Sequence, residues 1–485
     1  MRFSTFFCAA GPILLFLGVN AISLVKIDVV PPYSNSTDSR CNFSTSENIW
    51  NCPSITSAIT VANSVNLSSD VRVSFTGNHI VNRAPLQVTR SMEILGSGFA
   101  TLDARGAATI LMILGKGVSV DNVHFTGANA SHVKNAAPII VGQHRGRDMV
   151  HPLTPPPPPA PAPTDKRVTF SRCTFSNLTG STGGAILLVE GSCLVLDSCE
   201  FSSNLCDRPQ RGGPHDWWGG GAIFVDRASL IVQNTTFIRN RALDHGGAIM
   251  NYMGQVQVSD STFVGNVGAQ GGAMYTFMWG SITLRRCLFR DNWAGECPTC
   301  HAGSKAGHGG ALFTDRGILT VFDSVFINNS QAVWMWSTKE SKNSNQTLRN
   351  VTLSNCTFTS NHVNGSGGAV YNQWSTLYVL NSIFRGNTAT KDGAAVASDA
   401  QSQTFVSGSD FDMITDIAGF GFGPSYMCMH VGTYTIPYVH ACEHLHHPIC
   451  VHMHTCIVGY GFDAILCTCI CILATCMGVC KRVGL

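Results

Sequence analysis

The sequence predicts an all-β solenoid, a parallel β-helix with three short strands per turn of about 26 residues. Three observations predict it. The stretch 237–275 repeats itself, because Phe237-x-x-Asn240 and Gly246-Gly247-Ala248-Ile249 return as Phe263-x-x-Asn266 and Gly271-Gly272-Ala273-Met274. Phe recurs at 99, 125, 175, 201, 237, 263, 289, 326, 358, 384 and 411, mostly 26 or 27 residues apart, and each longer interval is one period plus an insertion. Seven and five residues before each Phe but the last stand apolar pairs such as Leu230/Val232, Val256/Val258 and Ile282/Leu284, and the last pair, Thr404/Val406, is degenerate as at a solenoid end. The residue between them is often polar, which is strand alternation and not helix periodicity.

Each unit therefore carries one strand after the Gly-Gly-Ala turn, one at the alternating pair and one ending at Phe. Gly, Asn, Ser and Asp fill the corners, where left-handed backbone angles are needed. Stacked turns would repeat at about 4.8 Å. A solenoid core grows by addition, so 485 residues are no obstacle to a single architecture. Net charge is +2 with 12% charged residues and no basic run, which excludes nucleic acid as a partner class.

In chain order, residues 1–21 read as an export signal: Arg2, an apolar run from Phe6 to Val19, then small residues for cleavage after Ala21. The rival reading is an uncleaved anchor over 6–25. Export agrees with Asn-x-Ser/Thr sequons at Asn35, Asn42, Asn66, Asn129, Asn177, Asn234, Asn328, Asn345, Asn350, Asn355 and Asn364, which are candidate glycan acceptors. Residues 41–98 lack the repeat and read as an N-terminal cap with the first turns. Cys41 and Cys52 bracket a short loop and are a candidate disulfide in an oxidising compartment. Apolar residues at 55, 58, 59 and 62 have helix spacing, and a short helix there would cover the open end of the rod.

The β-helix spans 99–416. A Pro-rich insertion, 145–166, interrupts it between the post-glycine strand and the alternating strand, and PPPPPAPAP cannot join a sheet. Two further insertions, 205–219 and 293–308, fall between the Asn and the Gly-Gly, three turns apart, so they leave the same edge about 14 Å from each other. They hold Trp217, Trp218 and Trp293, together with Cys297-x-x-Cys300-His301 and His308. Cys297 and Cys300 are candidate disulfide cysteines, with Cys206 of the neighbouring loop as a candidate partner and zinc ligation as the alternative. Cys173 and Cys199, each two residues before a Phe, are either stacked thiols or a disulfide between adjacent turns.

Residues 417–485 depart in composition. The repeat stops, nine of the 20 Cys appear, and His430, His440, His444, His446, His447, His452 and His454 crowd together. Residues 457–480 are a candidate membrane segment, with Lys481-Arg482 beyond it.

The paired F-x-x-N and G-G-A-[ILMV] motifs from Phe201 to Ala395 resemble the polymorphic outer-membrane protein repeat. The wider pattern resembles the right-handed parallel β-helix proteins of the pectin-lyase-like class. The resemblance implies a right-handed helix. Bacterial members are surface adhesins ending in a membrane β-barrel. No run of ten-residue alternating strands is read after 417, so that role is not carried over. Other members of the class are polysaccharide lyases and glycoside hydrolases, which use clustered carboxylates. Here Asp226-Arg227 and Asp315-Arg316 occupy equivalent corners and read as local ion pairs. Gly307-His308-Gly309 matches a short hydrolase motif without its Asp-rich companions, so no catalytic residue is assigned.

The residue after each G-G-A-[ILMV] is Leu187, Phe224, Met250, Tyr275, Phe313 or Tyr371. If this column faces outward, Phe224, Tyr275 and Phe313 join Trp217, Trp218 and Trp293 as candidate carbohydrate-binding residues. The alternatives are a ladder covered by the insertions, or aromatics that fill the core. The expected function is a secreted or cell-surface structural or adhesive glycoprotein that presents loops to extracellular polysaccharide or surface proteins. The alternative is a carbohydrate-active enzyme. No cofactor is implied.

Overall fold

The computed structural model describes residues 24–30, 41–65, 70–143, 167–207, 219–295, 307–337, 350–399 and 402–412, with strand backbone at five places beyond. The signal at 1–21, the Pro-rich insertion, Asn35, Asn66, Asn345, Trp217, Trp218, Cys297, Cys300 and most of the His/Cys-rich tail lie outside the described residues.

The chain coils as a parallel β-helix. Strands of successive turns pair in parallel and in register, as Val256↔Ile282 with Val258↔Leu284, Phe237↔Phe263, and Ile249↔Met274 show for the three strands of a turn. The post-glycine strands make one sheet of 12. The alternating and Phe strands belong to a larger sheet, joined where Met92–Asp103 pairs with both Val118–Asp121 and His124–Thr126. A fourth, two-residue strand follows Leu178 and the Asn of the next four turns, as at Arg241–Ala242, and these five form a small sheet of their own. Both insertions at 205–219 and 293–308 depart from this sheet, at Leu205–Cys206 and Trp293–Ala294.

Register turns the sequence motif into side-chain ladders. The Phe rings from Phe125 to Phe411 stack along the axis with centroids 4.3–5.1 Å apart and planes within 10°. The Asn of F-x-x-N is buried at every turn from Asn204 to Asn387. Each Nδ2 donates to the Phe carbonyl of the preceding turn, and all but Asn387 also donate to the Oδ1 of the next Asn. Each Oδ1 from Asn240 to Asn387 also accepts the backbone N–H of the preceding Asn, so these corner amides find partners inside the rod.

The column two residues before Phe is small and polar. Ser261, Ser324 and Ser382 each donate to the carbonyl two residues back and accept an amide from the turn before. Cys173 and Cys199 occupy this column as free, buried thiols, and their Sγ atoms face the carbonyls of Ser171 and Asp197. They are therefore stacked thiols and not a disulfide between turns, because the thiol takes the same carbonyl that the hydroxyls of this column use. Burial pushes the Cys206 thiol up to about 12 and the Cys287 and Cys356 thiols up to about 11, so none of these is a nucleophile at neutral pH.

The N-terminal end is covered in two ways. The helix Ile55–Ser64 starts at Ser54, whose hydroxyl accepts from Ser57 N, and it buries Ile55, Ala58, Ile59 and Ala62. A hairpin, Asn42–Ser44 with Ile49–Cys52, stacks beyond Leu24–Val29, and a Cys41–Cys52 disulfide closes it. Leu24–Val29 itself pairs with Asp70–Ile80, so the last two residues of the rival anchor reading, Leu24 and Val25, belong to a strand of the solenoid.

Two expectations are corrected. Phe99 is not in the Phe ladder: Leu102 pairs with Phe125, and Phe99 is 94% exposed. The first turns use long strands without the later corner, so the position three residues on takes the inward place. The tail carries two antiparallel ten-residue strands, Asp463–Ile472 and Thr475–Gly484, where none was read. They occupy most of the candidate membrane segment. Ile, Val and Thr there favour extended backbone. Among the described residues no helix is long and apolar enough to cross a membrane.

Candidate functional site: an aromatic groove on the outer face

Along each post-glycine strand alternate residues face in and out. Ile223 and Val225 join the main core, whereas Phe224 joins a second cluster on the outer face with Met250, Tyr252, Tyr275, Phe277 and Phe313. The column does face outward, but Phe224, Tyr275 and Phe313 are only 0%, 1% and 2% exposed. The expectation of an exposed stripe is corrected by ring geometry. At the spacing of the turns the rings lie face to face, and Tyr275 and Phe313 stack at 5.1 Å with planes 7° apart. Their faces are taken by each other and are not offered to a sugar.

Farther along, the stack breaks. Trp334 follows Phe313 in register and meets Tyr371 edge-on, at 4.7 Å and 73°. The next residue of the column is Ala397, which leaves space. Trp336 and Gln373 follow Asp315 in the neighbouring outward column. Trp374 sits at the corner beyond, with φ +58, a left-handed conformation uncommon for a bulky residue. Around them opens a groove of about 560 Å³, lined by Phe313, Trp334, Trp336, Tyr371 and Trp374 with Gln270, His308, Gln373, Lys391 and the loop 363–366. This volume lies in the range of small-ligand sites. The His308 ring lies 3.5 Å from that of Trp334 and forms one wall. Trp334 Nε1 is buried without a hydrogen-bond partner among the described residues.

Sequence reading missed Trp334, Trp336 and Trp374. Trp334 and Trp336 stand in a turn with Ser330-Gln331-Ala332 in place of Gly-Gly-Ala, so a search keyed to the glycines passes over it, and Trp374 stands at the corner three residues beyond the column that was read after Gly367-Gly368-Ala369. The signal was there, since Trp334 stands one residue after an Ala-Val pair at the expected period. Of the predicted tryptophans, Trp293 is described. It lies on the small sheet, 49% exposed, with its ring 5.8 Å from that of His362, and it does not line the groove.

Asp226 and Asp315 occupy one column, with Tyr252 and Phe277 on the two turns between them. Three steps place them about 14 Å apart, outside the roughly 5–9.5 Å at which two carboxyl groups act on one glycosidic bond. Each pairs with its neighbour, Arg227 Nε to Asp226 Oδ1 at 2.9 Å and Arg316 Nε to Asp315 Oδ1 at 3.1 Å. Among the described residues no group of three His, Cys, Asp or Glu side chains converges on a metal position.

Asp315 is 2% exposed, and burial raises its carboxyl to about 6 against the opposing pull of Arg316 and Tyr275. In the folded state it holds its proton more tightly than in the unfolded chain. Its contribution is thus fully present below pH 3.8 and is lost as pH rises through about 6. The stability difference between wild type and Asp315→Asn should change by about 3 kcal/mol between pH 4 and pH 7, always to the disadvantage of wild type at the higher pH. Urea unfolding at the two pH values checks this, and a flat difference would remove burial as the controlling effect.

All eight described sequon asparagines are exposed: Asn42, Asn129, Asn177, Asn234, Asn328, Asn350, Asn355 and Asn364.

Comparison with known proteins agrees with this architecture. Residues 163–348 match the family model described as the right handed beta helix region, and residues 355–373 match the Chlamydia polymorphic membrane protein repeat. The chain carries a right-handed parallel β-helix with polymorphic membrane protein repeat character. It is similar to the probable autotransporter YfaL of Escherichia coli K12, 26% identical over 308 residues, which are 53% of this chain and 23% of that protein. It is also similar to the metabotropic glutamate receptor-like protein R of Dictyostelium discoideum, 28% identical over 27% of this chain and 8% of that protein. The chain thus spans less than a quarter of the length of these relatives. Among solved structures it is similar to PfbA, a surface adhesin of Streptococcus pneumoniae, with TM-score 0.39, 12% identity, and coverage of 73% of this chain and 86% of that one. The catalytic domain of a GH87 alpha-1,3-glucanase gives TM-score 0.37 and 11% identity, over 80% of this chain and 70% of that one.

Proposed function

We propose that this is a secreted or cell-surface glycoprotein, a rigid β-helix rod of structural or adhesive role whose outer groove takes the sugar rings of an extracellular polysaccharide. The observation that carries the reading is the groove itself. Trp336 and Trp374 line it without a ring partner, so their faces suit the apolar faces of sugars, while Gln270, Gln373 and Lys391 supply hydrogen bonds at its edge. Among the described residues its lining is aromatic, amide and basic, a composition suited to holding sugar rings. The exposed sequons and the Cys41–Cys52 disulfide support an exported, oxidising setting.

Full-length protein made in a bacterial periplasm, which forms disulfides but adds no N-glycans, should be retained by at least one of a panel of insoluble cell-wall polysaccharides. No new reducing or unsaturated ends should appear. Trp336→Ala and Trp374→Ala should each weaken retention about tenfold, near 1.4 kcal/mol. Retention unchanged in both variants would refute the groove as the binding surface, and released ends would overturn the non-catalytic reading.

A further inference from the structure

The loop that borders the groove is itself a sequon. Asn364, Gly365 and Ser366 all line the groove. Asn364 is exposed, and its Oδ1 accepts from Thr390 Oγ1 at 2.9 Å, while its Nδ2 has no hydrogen-bond partner among the described residues. The sequon asparagines Asn234, Asn328 and Asn355 differ, because each Nδ2 donates to an aspartate of the turn before: Asp197, Asp291 and Asp323. Those three amides are engaged along the rod surface, and none of the three asparagines is among the residues that line the groove. At Asn364 the amide oxygen is held and the nitrogen is left free beside Trp336 and Trp374.

We propose that Asn364 carries an N-linked glycan whose first N-acetylhexosamine units lie in the groove, so that the sugar site is filled in cis by the protein's own carbohydrate. This rests on the reading of the groove as a site for sugar rings. The modification joins Asn364 Nδ2 to the anomeric carbon of the first sugar of a lipid-linked oligosaccharide diphosphate. The anomeric C–O bond to the diphosphate breaks, the amide loses one proton, and the lipid diphosphate leaves. A sugar tethered one side chain from the groove has an effective concentration in the millimolar range. It therefore outcompetes free polysaccharide at a weak site without needing high intrinsic affinity. Glycosylation at this position would decide whether the rod is adhesive or inert.

The test compares full-length protein from a glycosylating secretory host with its Asn364→Gln and Ser366→Ala variants, which remove the sequon in two independent ways. Ser366→Ala keeps the backbone carbonyl that accepts from Gln331 Nε2. Asn234→Gln, on a turn remote from the groove, is the control. Peptide mass mapping should find a glycan on Asn364. Titration with N,N′-diacetylchitobiose, read by tryptophan fluorescence, should show binding about tenfold weaker in wild type and in Asn234→Gln than in the two groove variants. An unmodified Asn364 peptide would overturn the proposal, and so would a glycosylated one with equal disaccharide binding in all four proteins. Periplasmic protein separates the two levels. If it is retained by polysaccharide while secreted wild type carries no Asn364 glycan, only the cis occupancy fails. If it binds no sugar of any kind, both fail.

Discussion

Replacing Gly247 by alanine is expected to destabilise the rod by more than about 4 kcal/mol, enough to stop soluble protein from accumulating. A Cβ at this position would lie 2.0 Å from the Gly272 carbonyl oxygen and 2.6 Å from the backbone N and C of Val267. Those atoms are the next turn and cannot rotate away. The partner residue Gly246 has φ +62, and a Cβ there would lie 2.3 Å from Ile249 O, so it is held by conformation as well as by space, whereas Gly247 is held by space. Gly265→Ala is the matched control. Its φ is also +62, but the nearest atom to the added Cβ is a flexible Arg239 side-chain carbon at 3.5 Å. It should lose only the cost of a left-handed alanine, about 1–2 kcal/mol. Urea midpoints of the two variants give the comparison, and a similar small loss for both would show that the turns can separate to admit a methyl.

The second large effect concerns the asparagine ladder. Asn266→Ala removes four hydrogen bonds at once. Asn266 Nδ2 donates to Phe237 O and Asn292 Oδ1, and its Oδ1 accepts from the backbone N and the Nδ2 of Asn240, each at 3.0 Å. The partners left behind are buried. Each unsatisfied group costs about 1–3 kcal/mol, so a loss of about 3–5 kcal/mol is expected. The ladder ends at Asn387, which donates only to Phe358 O and is 9% exposed. Asn387→Ala removes three bonds instead of four, the one to Phe358 O and the two that its Oδ1 accepts from Asn361, and should cost about a quarter less. Equal losses at the two positions would mean that packing volume, and not hydrogen bonding, sets the cost.

Much of the fold was legible because the solenoid repeats its demands. A ring stacked on its own copy, an amide bonded to its own copy and a glycine pressed against its own copy all require the same residue type every turn. The period appears in the chain as Phe, Asn and Gly-Gly. The capping helix was legible for a related reason, since Ile55, Ala58, Ile59 and Ala62 mark one face. Phe99 was misplaced because the first turns lack the later corner, so counting from the period overshoots the residue that faces in.

The site was legible only in outline. Phe224, Tyr275 and Phe313 were rightly grouped in one column, yet column membership does not say whether a ring is open. Stacking at the spacing of the turns closes the faces of Tyr275 and Phe313 and leaves those of Trp336 and Trp374. Trp334 and Trp336 sit in a turn whose Gly-Gly is replaced, so the motif that revealed the repeat also hid them, while Trp374 lies at a corner beyond the column that the motif marks.

What the sequence determined by itself was the period, the strand alternation and the residues that must face inward, because each of these is a one-dimensional pattern imposed by stacking. The tertiary structure alone decided which outward rings are covered, where the aromatic ladder breaks and that the Asn364 loop borders the gap. Those facts depend on residues 30 to 120 positions apart meeting across turns, and a linear pattern carries no record of which surfaces their packing leaves open.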